Sequence, residues 1–352
     1  LLLPFNGPLA SAAQALRDGF LAAQYQAQSQ GISQPQVTLY DSTQYSQAID
    51  ALNQSKREGV QWMIGPLEKD KVTQLASSGA LPLPTLVLNY AEQATSDSSI
   101  YQFGLAPEDE ARSAAIRAWH DGKRRMATLS TRDDWSQRAN RAFITEWERL
   151  GGILIGQELV DQPAAVANQM GELLKIKQSE NRANRISSIL GDVLAQPTPR
   201  QDLDALFLAA TPLQARQIKP TLAFQYAADL PVYATSHAYQ IDSSGMQNTD
   251  LDGLLIAEIP WLLEQNDPLY SDVTGNWPQA GGALGRLYAM GVDTQRIFAR
   301  LPQMREYPDT RIEGATGELT LDSTGRIQRL LPWGQIRNGV LEPAAPSDSG
   351  AL

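Results

Sequence analysis

The sequence predicts an α/β protein of two doubly wound lobes, each with a parallel sheet between helices, joined by multiple crossovers around a cleft. The first observation is that short apolar runs alternate with amphipathic helical patterns, as parallel strands buried on both faces require. The second is that this alternation occurs twice along 352 residues, a length sufficient for two domains. The third is that no low-complexity linker separates the two series, which favours lobes that share crossovers.

The first series begins at the amino end of the chain, where LLLP (1–4) reads as a strand and is followed by a helical pattern over 9–28. Further patterns then alternate, with strands expected at 37–42, 60–67 and 83–90 and helices expected at 45–59 and around 72–76. The carboxyl ends of parallel strands gather at one edge of a sheet, where such folds bind ligands. We therefore expect the loops after these strands to form part of a binding edge.

The second series follows a helical pattern that begins near Pro107. Its expected elements are strands at 124–131 and 151–160, a long helix over 162–196 broken at Gly171, strands at 204–212, 230–237 and 251–260, a late helix over 281–301, and antiparallel strands over 316–341 with turns at Ser323–Gly325 and Asn338–Gly339. From these elements we predict lobe 1 over 1–105 and 258–308, lobe 2 over 106–257 and 309–343, and a disordered tail over 344–352.

Composition excludes several classes of protein. The net charge of −10 and the sequence pI of about 4.8 argue against a nucleic-acid binder, which needs a basic face to displace counterions. The absence of cysteine excludes thiol catalysis and cysteine metal sites. The longest apolar run, 251–263, is interrupted by Glu258 and Pro260 and is too short to cross a bilayer. Because the chain opens directly on a strand pattern, we expect it to come from a longer precursor.

Three consecutive acids, Glu108, Asp109 and Glu110, raise the question of acid–base or metal chemistry. Pro107 before them suits the first turn of a helix, and acids are favoured at the positive end of the helix dipole. Gly122 stands where a helix would end. The pattern therefore predicts a helix start, and a catalytic or metal-binding role is the weaker interpretation.

Ser236 and His237 are the one serine–histidine pair adjacent in the sequence, and they suggest a hydrolase as one hypothesis. Neighbours along a strand point to opposite faces, however, and the chain has no G-x-S-x-G motif, so a ligand-lining role is favoured. No metal-ligand or nucleotide-binding spacing is present, and we expect no cofactor. The charged segment 172–202 is interpreted as a solvated helix face, with contact to a partner as the alternative.

The order of elements resembles the type I periplasmic binding-protein fold, and several motifs resemble the C-terminal domain of the LppC/LpoA family. The motifs are LLLPFNGP (1–8), GPLEKD (65–70), GLAPEDEARSAA (104–115), AWHDG (118–122), ARQIKP (215–220), LPVYATSH (230–237), RLYAMGVD (286–293) and GATGELTLD (314–322). PEDEA and LYAMG are the more specific of these, and the resemblance covers nearly the whole chain.

The resemblance implies a non-catalytic outer-membrane lipoprotein that lies on the periplasmic side and activates a class A penicillin-binding protein, a peptidoglycan synthase. It implies no catalytic residues and no metal. The alternative is a periplasmic solute-binding module for a small polar ligand or cell-wall fragment. The superfamily places ligand groups on the loops after the strands, which here carry the candidates Pro66, Leu67, Asn89, Tyr90, Arg132, Asp133, Thr211, Ser236, His237 and Glu258. The GPLE sequence at 65–68 departs from the small hydroxyl residues usual in amino-acid binders, which argues against a free amino acid.

Overall fold

The structure, a computed structural model, describes residues 1–93, 99–160, 163–190, 197–241 and 246–346. By their contacts these residues form two units. Unit 1 contains Leu1–Ala106 and Ile259–Leu331, and unit 2 contains Pro107–Glu258 and the chain from Pro332 onward. The chain therefore passes between the units at three places, in agreement with the predicted crossovers.

Helices and strands alternate along most of the chain. The strands are β1 (Leu2–Leu3), β2 (Tyr40–Asp41), β3 (Met63–Ile64), β4 (Thr85–Val87), β5 (Ile100–Gln102), β6 (Arg125–Ser130), β7 (Ile153–Leu159), β8 (Ala205–Ala209), β9 (Val232–Ala234), β10 (Leu255–Ala257), β11 (Ile312–Gly314), β12 (Gly317–Leu321), β13 (Ile327–Leu330), β14 (Trp333–Arg337) and β15 (Val340–Pro343). The helices are α1 (Ala10–Ser29), α2 (Ala48–Arg57), α3 (Lys69–Ser77), α4 (Pro107–His120), α5 (Asp134–Arg149), α6 (Pro163–Leu173), α7 (Ile176–Leu190), α8 (Pro212–Phe224), α9 (Pro260–Leu263), α10 (Tyr270–Asn276) and α11 (Gly285–Glu306).

Unit 1 contains short parallel strands and one antiparallel group. β1 pairs with β2 in parallel, β3, β4 and β5 form a parallel group, and β11, β12 and β13 form an antiparallel group. β5, a three-residue strand that pairs with β4 and is buried throughout, was not predicted from the sequence. The other strands of the parallel groups lie inside their predicted ranges.

Two glycines allow α1 and α11 of unit 1 to pack with their backbones in close contact. A Cβ atom at Gly291 would lie 2.1 Å from the carbonyl oxygen of Leu16, and one at Gly19 would lie 2.1 Å from that of Tyr288. Any larger residue would force the helices apart, because neither obstacle is a flexible side chain. Gly291 belongs to the RLYAMGVD motif, so this part of the motif has a packing function.

Residues 309–331 belong to unit 1, which corrects the predicted assignment of this segment to lobe 2. The apolar side chains of Ile312, Leu319 and Ile327 are buried in the same core cluster as Ile297 of α11. The antiparallel pattern itself was predicted, but the unit into which it packs was not. The other predicted lobe boundaries remain a prediction.

Unit 2 contains a sheet of seven strands among the described residues, in the order β15-β14-β10-β9-β8-β6-β7. The strands from β10 to β7 are parallel, and β14 and β15 are antiparallel. Asn338 and Gly339, with φ of 50° and 77°, form the tight turn between β14 and β15. A parallel-dominated sheet with helices confirms the predicted α/β class.

The long helical pattern after β7 is divided at Lys175 and not at Gly171 as predicted. Gly171 lies inside α6, and α7 begins after Lys175, which adopts φ of 56°. Leu174 is buried at the break, and its carbonyl accepts a hydrogen bond from the Arg200 amide. The burial of Leu174 and this distant contact place the break, and neither is visible in the local sequence.

Within the described ranges, no helix combines the length and the apolar character needed to span a membrane. The same residues contain no cluster of three or more histidine, aspartate or glutamate side chains suited to a metal ion. Of the predicted disordered tail, 347–352 lies outside the described residues, and 344–346 follow β15 without regular structure.

Candidate functional site

The acid cluster at the start of α4 confirms the predicted helix start. Pro107 is the first helical residue, and Glu108 forms an ion pair of 2.7 Å with Arg138 of α5. Asp109 pairs with Arg112 one turn further along α4. At the other end, Gly122 adopts φ of 76° and the helix closes through a hydrogen bond from the Lys123 amide to the Ala118 carbonyl.

Glu110, the third acid, connects α4 to the loop after β9. Its carboxylate accepts the Ser236 amide at 2.7 Å and the Ser236 hydroxyl at 3.0 Å. The Nδ1 atom of His237 lies 3.7 Å from the same carboxylate. Glu110 is only 4% exposed, so these contacts hold a buried charge and fix the conformation of the loop.

His237 stacks on the indole ring of Trp135 from the first turn of α5. The ring centroids are 4.4 Å apart and the planes differ by 18°. The His237 side chain is 40% exposed, whereas Glu110 behind it is buried. The cluster of Glu110, Trp135, Ser236 and His237 therefore presents an aromatic surface supported by a buried carboxylate, and we call it the α4–β9 cluster.

The geometry of the α4–β9 cluster gives no support to the hydrolase hypothesis. A serine nucleophile needs its hydroxyl directed at a base and open to substrate. The Ser236 hydroxyl instead donates to Glu110, and Ser236 is 2% exposed. The arrangement is suited to holding the loop in place.

The other unit 2 candidates lie at carboxyl ends of strands, as predicted. Thr211 caps α8 through a reciprocal arrangement with Gln214, and Glu258 is fully buried and accepts the Tyr239 hydroxyl at 2.9 Å. Asp133 accepts the Thr131 hydroxyl at 2.8 Å. Arg132, Asp133 and His237 are the unit 2 candidates that are exposed.

The unit 1 candidates also follow strands, but their polar groups are used internally. The Pro66 carbonyl accepts the Leu88 amide, and the side-chain amide of Asn89 donates to the Leu67 carbonyl at 3.1 Å. The Tyr90 hydroxyl donates to the Ile327 carbonyl at 2.6 Å. These groups stabilise the loops of unit 1, and none of these bonds requires a ligand.

Gly65 is required by the geometry of that loop. It adopts φ of 109°, and a Cβ atom there would lie 2.0 Å from the Leu2 carbonyl oxygen. Only glycine combines this conformation with so close an approach. The glycine of the GPLE sequence therefore has a local structural cause.

Ser236 and His237 were predicted as site residues from the sequence, but their contacts with Glu110 and Trp135 were not. The interaction of Ser236 with Glu110 spans 126 positions in the chain. The one available signal was that the PEDEA and YATSH segments are both among the motifs of the family resemblance. Trp135 carried no such signal.

The two α/β units, the shared crossovers and the parallel sheets place the protein in the class with a type I periplasmic binding-protein-like fold. A structure from Chromobacterium violaceum described as "a putative branched-chain amino acid ABC transporter" is 27% identical, covers 95% of this chain and 98% of its own, and superposes with a TM-score of 0.69. A structure of the C-domain of LpoA from Haemophilus influenzae, described as a regulator of PBP1A, covers 98% of both chains with a TM-score of 0.78 at 24% identity.

The chain belongs to the LppC family, whose model, described as "LppC putative lipoprotein", matches residues 1–339. A relative from Vibrio cholerae, named penicillin-binding protein activator LpoA, is 28% identical over 342 residues. That alignment covers 95% of this chain and 56% of the relative. The chain thus spans little more than half the length of the curated relatives it matches.

Proposed function

We propose that this chain activates a penicillin-binding protein by binding to it, without catalysing a reaction of its own. The observation that carries the proposal is the alignment of 95% of this chain with relatives named penicillin-binding protein activators. Nearly every part of this chain therefore has a counterpart in those activators.

The geometry of the candidate residues supports a role in binding a macromolecule over a role in chemistry. Several polar groups after the strands form hydrogen bonds with other parts of their own unit. Examples are the bonds from Tyr90 to Ile327 and from Ser236 to Glu110. A reactive group must be free to meet a substrate, whereas a docking surface needs only a rigid scaffold. The internal bonds provide the scaffold.

The proposal includes a location. The family is described as lipoproteins, and we propose that the longer protein carries a lipid anchor in the outer membrane, with this chain in the periplasm. An activator of a cell-wall synthase has to reach the space in which peptidoglycan is made. Fractionation of cells that produce the full protein, with and without globomycin to block lipoprotein processing, tests this part.

A binding titration tests the activator function. The purified chain is titrated calorimetrically into the class A penicillin-binding protein of the same organism, with bovine serum albumin as the negative partner. A saturable heat with the synthase alone supports the proposal. Absence of a saturable heat with the synthase would count against it.

The second candidate is a solute-binding module for a small polar ligand or cell-wall fragment. It is favoured by the likeness in fold to the transporter-related structure and by the exposed side chains of Arg132, Asp133 and His237. A thermal-shift screen against amino acids, peptides and muropeptides tests it. A ligand at about 100 times its Kd would stabilise the fold by about 2.7 kcal/mol, which the melting temperature would report.

A further inference from the structure

The helix α7 carries an outward face that the architecture of unit 2 does not use. Its inward side is fixed, because Ile176 lies in the core, Ala183 is buried, and the Ser179 hydroxyl oxygen accepts the Thr198 amide at 2.8 Å. One flank of the helix, beside this inward side, is exposed to solvent. It contains Arg182, Arg185, Ile186 and Ile189, which we call the α7 outer face.

The four residues of the α7 outer face are neighbours on the helix surface. Arg182 lies three and four positions before Arg185 and Ile186, and these lie four and three positions before Ile189. Ile189 is 73% exposed and Ile186 is 43% exposed. An exposed isoleucine contributes nothing to the core of unit 2, and two on one helical face form a small apolar patch.

The two arginines have no acidic partner in the part of the chain that the structure describes. Arg138 and Arg149 of the same unit, by contrast, are paired with Glu108 and Glu146. Arg182 and Arg185 form a small basic site on a chain of 39 acidic and 29 basic side chains. Charge complementarity therefore favours an acidic partner.

We infer that the α7 outer face docks on an acidic surface of the penicillin-binding protein, with the two isoleucines in an apolar depression between its carboxylates. This inference rests on the proposed function and assigns it a surface. Arginine is enriched at energetically important positions of interfaces, and apolar side chains at their buried centre exclude water. The arginines would set the rate of encounter and the orientation, and the isoleucines would slow dissociation.

Two other occupants fit the α7 outer face less well. A membrane surface usually binds helices that present tryptophan, phenylalanine or leucine, and the α7 outer face contains none of these. A second copy of this chain docked by a two-fold axis would set the arginines of one copy against those of the other. An acidic protein surface avoids both problems.

The test compares charge reversals on and away from the α7 outer face. The double variant R182E/R185E is measured beside R141E/R300E, which changes the net charge equally at two exposed arginines outside α7. Binding to the penicillin-binding protein is measured by surface plasmon resonance at several salt concentrations. We expect R182E/R185E to lose at least about tenfold in affinity and much of the salt dependence, and the control to stay within about twofold.

The apolar part is tested with I189S against L213S, since Leu213 is 68% exposed on α8. We expect I189S to raise the dissociation rate by about fivefold or more and L213S to leave it unchanged. Circular dichroism verifies the fold of each variant. Should R182E/R185E fail to fold, R182Q/R185Q repeats the test with the charge removed and not reversed.

The outcomes separate the surface from the function. Equal binding by the wild type, R182E/R185E and I189S would overturn the docking surface and leave the proposed function standing. Absence of binding by every form, the wild type included, would overturn both. Arginine-dependent binding to phosphatidylglycerol vesicles with unchanged binding to the synthase would show that the face serves a membrane, and would also overturn the inference.

Discussion

Each unit has a buried acid that holds a distant loop, and the two acids differ in their surroundings. In unit 1, Asp293 of α11 is fully buried and accepts the amides of Ala315 and Thr316 at 2.8 and 2.7 Å and the Thr316 hydroxyl at 2.6 Å. In unit 2, Glu110 accepts two bonds from Ser236 and lies beside the exposed ring of His237. One acid is enclosed, and the other lies behind a surface.

The enclosed acid joins two of the motifs that carry the family resemblance. Asp293 ends the RLYAMGVD motif, and its partners lie in the GATGELTLD motif. Arg296 forms an ion pair of 2.7 Å with Asp267, and it also lies 3.5 Å from the carboxylate of Asp293. Burial raises the pKa of Asp293, while Arg296 and the Thr316 donors act in the opposite direction. Such a residue serves stability.

The acid behind the surface, Glu110, joins two other motifs, PEDEA and YATSH. The loop that it holds carries His237, whose exposed ring stacks on Trp135 of α5. A substitution here should change the shape of a surface as well as stability. A buried carboxylate that accepts loop amides therefore stabilises the interior of unit 1 and positions an exposed loop in unit 2.

The largest expected effect is that of D293N. An asparagine has one acceptor oxygen, so its amide group would face the backbone N–H of Ala315 or Thr316 in a fully buried site. We expect a loss of about 3 kcal/mol in the free energy of unfolding. Urea denaturation followed by circular dichroism measures it, with D309N in an exposed loop as the control. A loss below about 1 kcal/mol would show that Asp293 is not the anchor of its loop.

The second effect tests the helix contact on which the same motif depends. In G291A the new methyl group would meet the Leu16 carbonyl, and we expect a loss of about 2 kcal/mol or more. The control is G275A in α10, where a Cβ atom has no neighbour within 4 Å. Alanine is the better helix former, so G275A should be neutral or stabilising by up to about 1 kcal/mol. Similar losses in both variants would contradict the close packing of α1 on α11.

The third effect is that of E110Q, for which we expect a loss of about 1–2 kcal/mol, because one amide–donor conflict arises at a site open on its His237 side. The double variant E110Q/S236A should lose less than the sum of the single losses, since Ser236 donates to this carboxylate. Additive losses would mean that the two residues act independently.

The smallest effect concerns pH and two partly exposed aspartates, one in each unit. Burial alone would raise the pKa of Asp204, but the amides of Arg124 and Arg125 and the Arg125 side chain bring it below its usual value. Asp322 behaves in the same way, with Thr324, Arg326 and Gln328 as donors.

A folded-state pKa below the unfolded value gives stability that is present above about pH 4 and is lost as the pH falls through the folded pKa. We therefore expect the wild-type unfolding free energy to decline below about pH 4. D204N and D322N should each make that decline shallower, as urea denaturation at pH 2.5 to 7 would report. A decline that neither variant changes would assign the acid sensitivity to other carboxylates.

Local signals in the sequence predicted the regular elements well. Pro107, the acids after it and Gly122 mark both ends of α4, and Asn338-Gly339 marks the turn between β14 and β15. These signals succeed because capping and turn geometry depend on residues within a few positions of each other.

Distant contacts decided what the sequence could not predict. The segment 309–331 packs in unit 1 because Thr316 meets Asp293, and α7 starts after Lys175 with Leu174 buried beside it. Pairing with β4 defines β5, and the local sequence does not show that contact. The α4–β9 cluster likewise depends on Glu110 meeting Ser236, and no alternation of polar and apolar residues encodes that contact.

The rate of glycan-strand synthesis by the purified class A penicillin-binding protein, measured as the chain is added, tests the proposed activation directly. We predict a rate that rises and saturates with the chain, and an equal rise with S236A and H237A, because the chain contributes a surface and no reactive group. A rate that does not change at saturating chain, or a rise that S236A abolishes while the fold is retained, would contradict it.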